Sequence, residues 1–160
     1  MKEHEIRIQF AKYGAVTDLE TPTSQLFEEA QKALQSAYSP YSSFQVGAAL
    51  RLSNGQIIRG SNQENAAYPS GLCAERTAFF YAGSQFPNEN IEEIVVLARK
   101  TGDSILVPAC PCGACRQVML EYEVKQKQAI PIVFKLENEG FIRVSSISDL
   151  LPFKFDASSL

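Results

Sequence analysis

Apolar residues recur at the spacing of an amphipathic helix in the first quarter of the chain, beside a threonine and serine pair of the kind that caps helices. The apolar positions of this run are Leu26, Phe27, Ala30, Ala33, Leu34 and Ala37. The pattern predicts a helix that begins at Thr23 or Ser24 and ends near Tyr38, because Pro40 forces the chain into an extended exit.

Runs rich in β-branched and aromatic residues alternate with further helical stretches along the rest of the chain. Residues 46–52 and 56–59 flank the dipeptide Asn54-Gly55, which is typical of a tight hairpin turn. The remaining predicted elements are a helix at 73–82 that Gly83 ends, a strand at 91–98, a helix at 112–122, and strands at 130–136 and 141–144, the last after the turn Asn138-Glu139-Gly140. The order α-β-β-α-β-α-β-β predicts an α/β fold, a three-layer α/β/α sandwich around a mixed sheet of about five strands.

The N-terminal region carries a weaker signal. Ile6, Ile8 and Phe10 alternate with polar residues ahead of Gly14, which predicts a short strand or an arm. Because 160 residues leave room for one domain, we expect an N-terminal extension at 1–21 and a single domain at 22–160. No apolar run approaches the ~20 residues that span a bilayer, and no secretory signal pattern is apparent, so the expected location is the cytoplasm.

The charge of the chain bears on its partners. The formal net charge is -3, and lysines and arginines do not cluster on any predicted element. Proteins that grip polynucleotides usually carry a basic patch, since neutralising phosphates supplies most of their affinity. The charge pattern therefore favours a small-molecule ligand over a nucleic acid, and nothing in the sequence predicts a membrane partner.

Three of the four cysteines lie within six residues, which indicates metal binding or catalysis more than a disulfide framework. Cys112 and Cys115 are spaced to share one face of a first helical turn, and a helix N-terminus favours the thiolate that binds metal. Together with Cys73 they offer three ligands to one zinc ion per chain and leave its fourth position for water, as in catalytic zinc sites. Cys110 is poorly placed to be a fourth ligand because it lies two residues before Cys112. His4 is not expected to be a ligand because it lies in the weakly structured N-terminal region.

Two charged residues follow Cys73 directly. Glu75 lies at the predicted helix start, where its carboxylate can accept a proton from water and pass it to a substrate. Arg76, three residues after Cys73, can donate to a thiolate and offset the negative charge of three sulfur ligands.

At these residues the sequence resembles the cytidine deaminase family, in particular its small, homotetrameric class with three cysteine ligands to zinc. The similarity runs from about Tyr38 to Phe155. Its segments are YSPYSSF (38–44), VGAAL (46–50), NQENAAYP (62–69), CAERTA (73–78), PCGACRQ (111–117) and LLP (150–152). The resemblance implies hydrolytic deamination of free cytidine or deoxycytidine to uridine or deoxyuridine plus ammonia, a step of pyrimidine salvage. It also implies a homotetramer with shared active sites.

The resemblance assigns roles to single residues. Glu75 would be catalytic, Cys73, Cys112 and Cys115 would hold the zinc, and Arg76 would support these ligands. The nucleoside contacts it implies are Phe44 packing on the substrate, Asn62 and Glu64 holding the ribose 3′-hydroxyl, and the Ala74 backbone reading the pyrimidine with Glu75. Ala66, Tyr68 and Phe155 match positions at sites shared between subunits. Gln63 stands where the family usually has an aliphatic residue, and Cys110 is an additional thiol.

Other interpretations fit parts of this pattern. Asn62 and Glu64 could be ordinary loop and cap residues, and Phe44 and Phe155 could be core residues. The same metal chemistry would serve a polynucleotide deaminase, which the acidic charge disfavours. A non-catalytic zinc-stabilised module would use Cys110 as a fourth ligand and would not need Glu75.

Overall fold

The structure of the chain, a computed structural model, describes residues 1–137 and 140–160. The helices are α1 (Thr21–Leu34), α2 (Ala74–Gln85) and α3 (Gly113–Gln126). The strands are β1 (Phe10–Tyr13), β2 (Phe44–Leu52), β3 (Ile57–Ser61), β4 (Ile91–Lys100), β5 (Leu106–Val107), β6 (Ile132–Leu136) and β7 (Gly140–Val144). Single 3-10 turns lie at Val16–Asp18, Tyr68–Ser70, Ile147–Leu150 and Ala157–Ser159.

All seven strands of the described residues join one mixed sheet in the order β1-β7-β6-β4-β2-β3, with β5 paired to β4. β4 and β6 run parallel, and the other pairs are antiparallel. This confirms the predicted α/β fold with a mixed sheet, but the sheet has seven strands where the sequence predicts about five. The two additional strands are β1, in the N-terminal region where the sequence predicts a short strand or an arm, and the two-residue β5, which is too short to give a clear pattern.

Helices cover both faces of the sheet. α1 packs on one face, where Phe27 meets Phe141 edge to face with ring centroids 5.1 Å apart. α2 and α3 pack on the other face, over the larger cluster that contains Phe79, Met119 and Ile142. The N-terminus of α2 therefore lies directly on the sheet, and this contact positions the site described below.

Two glycines allow these helices to approach the sheet closely. A Cβ atom on Gly47 of β2 would lie 2.3 Å from the Ala30 carbonyl oxygen of α1. A Cβ atom on Gly60 of β3 would lie 2.3 Å from the Ala74 carbonyl oxygen, at the first residue of α2. Any larger residue would push a helix backbone outward.

The predicted ends of all three helices are wrong, and α3 runs to Gln126, four residues past its predicted end at 122. α1 begins at Thr21 behind Glu20, with Pro22 in its first turn and no side-chain cap, and it ends at Leu34. A proline at this position suits a helix start because its missing N–H would have no partner there. Gly83 does not end α2 but lies inside it, where a Cβ atom would meet the Tyr122 hydroxyl oxygen at 2.5 Å. Close packing against α3, and not helix termination, therefore accounts for this glycine.

The predicted N-terminal strand exists, but it lies later than the alternating apolar residues suggest. β1 pairs with β7 at the edge of the sheet, with Phe10 opposite Val144, while the apolar side chains of Ile6 and Ile8 are exposed. In the predicted turn at 138–140, Asn138 and Glu139 lie outside the described residues. Within the described part of the chain, no helix combines the length and apolar character needed to cross a membrane.

Candidate metal centre and active site

The three predicted ligand cysteines come together where two helices begin. Cys73 precedes the first residue of α2, Cys112 precedes the first residue of α3, and Cys115 lies in the first turn of α3. Their sulfur atoms all lie within 4.8 Å of one another. In residues 1–137 and 140–160 no other set of three His, Cys, Asp or Glu side chains is grouped in this way, so neither Cys110 nor His4 joins the cluster.

The electrostatics of the thiols fit a cationic metal. A hydrogen bond from the Cys115 thiol, helped by the Arg76 guanidinium, lowers the pKa of Cys73 to about 5. The same hydrogen bond, together with burial, raises the pKa of Cys115. A metal ion bound by these sulfur atoms would take the place of the proton that Cys73 and Cys115 share. Sulfur ligands about 2.3 Å from a tetrahedral zinc ion suit a spacing of this size.

Arg76 lies against this cluster. Its Nη2 atom is 3.7 Å from the Cys73 sulfur and 3.4 Å from the Gly71 carbonyl oxygen. Its Nε atom is the one buried side-chain nitrogen or oxygen in the described residues without a hydrogen-bond partner. The guanidinium thus contacts a ligand sulfur through Nη2 and keeps a free N–H donor at Nε.

Glu75 is a buried carboxylic acid next to the thiols. Only 4% of the residue is exposed, and burial is the main reason that its pKa is raised, with the negative charge of Cys73 adding to the effect. A carboxyl group with a raised pKa holds a proton more readily than an exposed one. This environment suits a group that accepts and returns protons.

A cavity of about 710 Å³ opens above the cluster. Its lining includes eight residues that the sequence analysis singled out: Phe44, Asn62, Glu64, Tyr68, Cys73, Glu75, Arg76 and Cys112. Cys110, exposed on the loop before α3, also lines it. The volume suits a ligand of small-molecule size.

Three predicted substrate residues do not line this cavity. Ala74 is fully buried under the sheet, where only its backbone could approach a ligand. Ala66 is exposed on the loop before the Tyr68–Ser70 turn. Phe155 is 58% exposed near the C-terminus, where its carbonyl oxygen accepts a hydrogen bond from the Gln117 side chain.

The cavity wall contains a polar pair formed by Asn62 and Glu64. The buried amide of Asn62 accepts from the Val46 N–H and donates to the Phe44 carbonyl oxygen, each at 2.8 Å. Hydrogen bonds from the Ser42 hydroxyl and the Tyr41 N–H lower the pKa of Glu64. Glu64 is therefore a carboxylate held in a fixed orientation.

The sequence analysis missed the part that Tyr41 and Ser42 play in this wall. Both line the cavity, and the Tyr41 ring contacts Tyr68 edge to face with centroids 6.1 Å apart. The segment that contains them was noted only as part of the family pattern. Arg116 has a structural role, because it donates to the carbonyl oxygens of Pro111 and Leu150 at 2.8 and 3.1 Å.

A three-layer α/β/α fold with three cysteines at two helix starts and a carboxylate beside them defines a zinc-dependent hydrolytic enzyme of the deaminase type. The chain matches the family model described as the cytidine and deoxycytidylate deaminase zinc-binding region over residues 20–130. It is 42% identical over 135 residues to a cytidine deaminase of Halalkalibacterium halodurans, covering 84% of this chain and 95% of that protein. A cytidine deaminase of Sporosarcina psychrophila is 41% identical over 135 residues, with 84% and 92% covered.

The similarity extends to a solved structure. The crystal structure of a cytidine deaminase from Burkholderia pseudomallei is similar with a TM-score of 0.66 and 40% sequence identity, covering 82% of this chain and 97% of that chain. The chain therefore belongs to the cytidine and deoxycytidylate deaminase family, and its metal is zinc.

Proposed function

We propose that the chain catalyses the hydrolytic deamination of free cytidine and deoxycytidine to the corresponding uridines plus ammonia, as part of pyrimidine salvage. The observation that carries the proposal is the buried Glu75 beside three clustered thiols, at the floor of a cavity sized for a nucleoside. Relatives that share over 40% of their aligned residues with this chain are named cytidine deaminases.

In this proposal Cys73, Cys112 and Cys115 hold one zinc ion per chain. Zinc in a three-ligand site lowers the pKa of a coordinated water and so supplies the nucleophile for carbon 4 of the pyrimidine. Glu75 would accept one proton of this water and deliver it to ring nitrogen 3. Glu75, again a carboxylate, would then take the proton of the new 4-hydroxyl group and pass it to the amino group, so that the carbon–nitrogen bond breaks, ammonia leaves and the 4-oxo group of the uridine forms. Arg76 keeps the three sulfur ligands in place and offsets their charge.

The ribose is held by the polar pair of the cavity wall. Asn62 has one N–H and one lone pair beyond its two hydrogen bonds, and Glu64 is a charged acceptor. A hydroxyl group can donate to Glu64 and accept from Asn62 at once, so the pair fits the 3′-hydroxyl. Phe44 packs against the nucleoside, and the Ala74 backbone contacts the pyrimidine. A 3′-phosphate would instead meet the negative charge of Glu64.

We further propose a division of the chain into an N-terminal extension at 1–21 and a catalytic domain at 22–160, with the catalytic domain assembled into a homotetramer. Ala66, Tyr68 and Phe155 would then complete the site of a neighbouring subunit, which agrees with their exposure in one chain.

A cytoplasmic location suits the free thiols, because a reducing compartment keeps such cysteines available for zinc.

A side-by-side ammonia-release assay on cytidine, deoxycytidine, 3′-CMP and a cytidine-containing oligonucleotide tests the proposal. We expect kcat/KM for the two nucleosides to exceed that for 3′-CMP or the oligonucleotide at least ~100-fold, which corresponds to roughly 2.7 kcal/mol. Equal efficiency on the oligonucleotide would favour a polynucleotide deaminase. Release of no ammonia from any substrate by zinc-loaded protein would favour a non-catalytic zinc module.

A further inference from the structure

The carboxylate of Glu64 is held almost entirely by one short loop. Its Oε2 atom accepts from the Tyr41 N–H at 2.9 Å and from the Ser42 N–H at 3.3 Å. Its Oε1 atom accepts from the Ser42 hydroxyl. Two of the three donors thus belong to a single residue, Ser42.

The hydrogen-bonding capacity of Glu64 is nearly filled by these contacts. A carboxylate has about four acceptor positions, of which the loop occupies three. The remaining position is on Oε1, the oxygen that the Ser42 hydroxyl binds. The Ser42 hydroxyl therefore determines which way the last free lone pair of Glu64 points.

Ser42 also connects Glu64 to the other residues of the wall. Its hydroxyl oxygen accepts from the Phe44 N–H at 3.0 Å. The Phe44 carbonyl oxygen in turn accepts from the Asn62 amide at 2.8 Å. Phe44, Asn62 and Glu64 thus belong to one hydrogen-bonded chain, with Ser42 as its link.

The loop backbone is fixed in a conformation that serves this contact. Ser43 has φ of 54°, a left-handed conformation that residues other than glycine seldom adopt. Its N–H donates to the Ser39 carbonyl oxygen at 3.1 Å, and its carbonyl oxygen accepts from the Thr101 N–H at 2.9 Å. The surrounding chain therefore holds the turn that directs Ser42 at Glu64.

We propose that Ser42 is a positioning residue for substrate recognition: it orients the Glu64 carboxylate, and through Phe44 the Asn62 amide, toward a substrate hydroxyl. This inference rests on the proposed function, since it assigns the 3′-hydroxyl of the ribose to Glu64. Ser42 acts through Glu64 and does not take part in proton transfer.

The test compares Ser42→Ala, Ser42→Thr and the unchanged chain on cytidine and on 3′-deoxycytidine, which lacks the hydroxyl that Glu64 would bind. For Ser42→Ala we expect KM for cytidine to rise about fivefold to tenfold with kcat little changed, because a hydrogen bond to a charged acceptor is lost. KM for 3′-deoxycytidine should change less than about twofold. Ser42→Thr retains the hydroxyl and should restore KM for cytidine.

A readout that does not depend on turnover separates positioning from stability. Calorimetry measures the binding of the products uridine and 3′-deoxyuridine to zinc-loaded protein. Ser42→Ala should lower the affinity for uridine and leave the affinity for 3′-deoxyuridine nearly unchanged. Ser39→Ala is the matched control, since among the described residues the Ser39 hydroxyl is paired with the Thr101 hydroxyl, at 3.5 Å, and not with Glu64. Ser39→Ala should leave both affinities unchanged.

Two outcomes overturn different claims. If Ser42→Ala raises KM for cytidine and for 3′-deoxycytidine by the same factor, or raises neither, Ser42 does not position Glu64 for the 3′-hydroxyl. If the unchanged, zinc-loaded chain deaminates neither nucleoside, the proposed function itself fails.

Discussion

Glu75 combines two properties that an exposed carboxylate lacks. It is buried at the start of α2, which raises its pKa, and it is two residues from a cysteine whose pKa is lowered. A proton shuttle must hold a proton for part of the reaction and release it in another part, and a carboxyl group with a raised pKa does so more easily near neutral pH. The start of α2 therefore positions both Cys73 and Glu75 at the site.

Replacing Glu75 with glutamine should abolish catalysis without removing the metal. Glutamine has nearly the same shape but cannot transfer a proton, so we expect Glu75→Gln to keep the fold and one zinc ion per chain and to lose at least ~100-fold in kcat. Zinc analysis of the purified variant and an ammonia-release assay measure the two parts. Glu28→Gln, at an exposed position of α1, is the control with the same chemical change. Near-normal turnover in Glu75→Gln would show that another group moves the proton.

Residues whose chemistry is visible in a short motif could be predicted, and Cys73 could even be grouped with the distant Cys112 and Cys115, but a contact that depends on the conformation of a loop could not. Cys112 and Cys115 lie three apart, and Glu75 follows Cys73 by two, so the sequence alone indicates a shared site. The contact between Ser42 and Glu64 joins residues 22 positions apart. It depends on the turn at Ser43, and a serine in a loop gives no sign of such a turn.

At the scale of elements, the metal centre depends on how α2 sits on β3. The Ala74 carbonyl oxygen and the Ala78 N–H would lie 2.3 and 2.6 Å from a Cβ atom on Gly60. Backbone atoms cannot rotate away as a side chain can, so the helix itself would have to move. Because Cys73 and Glu75 flank Ala74, such a movement would change the site.

Gly60→Ala and Gly47→Ala should therefore both destabilise the fold but differ at the zinc site. We expect each to lower the free energy of unfolding by about 1–3 kcal/mol or more, the usual cost of overpacking. Gly47 faces α1 on the opposite side of the sheet, where a Cβ atom would lie 2.3 Å from the Ala30 carbonyl oxygen. Only Gly60→Ala should weaken zinc retention and kcat/KM per folded chain.

Denaturant unfolding and competition for zinc with a chelator measure these two effects separately. Gly47→Ala controls for the loss of stability alone. Equal zinc affinity in the two variants would show that the contact between α2 and β3 does not position the ligands.

Hydrophobic periodicity predicted the middle of each helix but not its ends. The buried positions of α1, from Leu26 to Leu34, match the predicted apolar stripe. The start of α1 is set by Pro22 in its first turn, which conflicted with the expected Thr or Ser cap. Gly83 is typical of a helix end in sequence, but the Tyr122 ring on α3 requires it, and that contact becomes visible only once the helices are packed.

At the scale of the whole molecule, the sheet separates two cores, and the site lies on the side of α2 and α3. The alternation of strands and helices was enough to predict this layering. It was not enough to place β1, which was predicted only as a short strand or an arm nearer the N-terminus, or to find β5, because strands of four and two residues carry little pattern and owe their pairing to β7 and β4.

The C-terminal segment at 152–160 follows the Ile147–Leu150 turn, and its aromatic side chains are uncovered. Phe153 and Phe155 are 89% and 58% exposed. The segment is held to α3 where Gln117 donates to the Phe155 carbonyl oxygen at 2.9 Å. Large exposed apolar side chains are typical of a contact with another chain, which agrees with the proposed homotetramer.

Removing residues 152–160 should therefore lower activity more than zinc content. The truncation retains Leu150, whose carbonyl oxygen accepts from Arg116, and Arg116 still holds the Pro111 carbonyl oxygen beside the metal loop, so the ligands should stay in place. It removes Phe155, which in the proposed tetramer reaches a neighbouring site. We expect kcat/KM to fall at least ~10-fold while zinc per chain stays near one. Removing residues 1–9, which precede β1, is the matched control and should preserve both quantities. Sedimentation velocity on the same samples reports the assembly. If the full-length chain sediments as a fully active monomer, the exposed aromatic residues serve no shared site and the tetramer proposal is wrong.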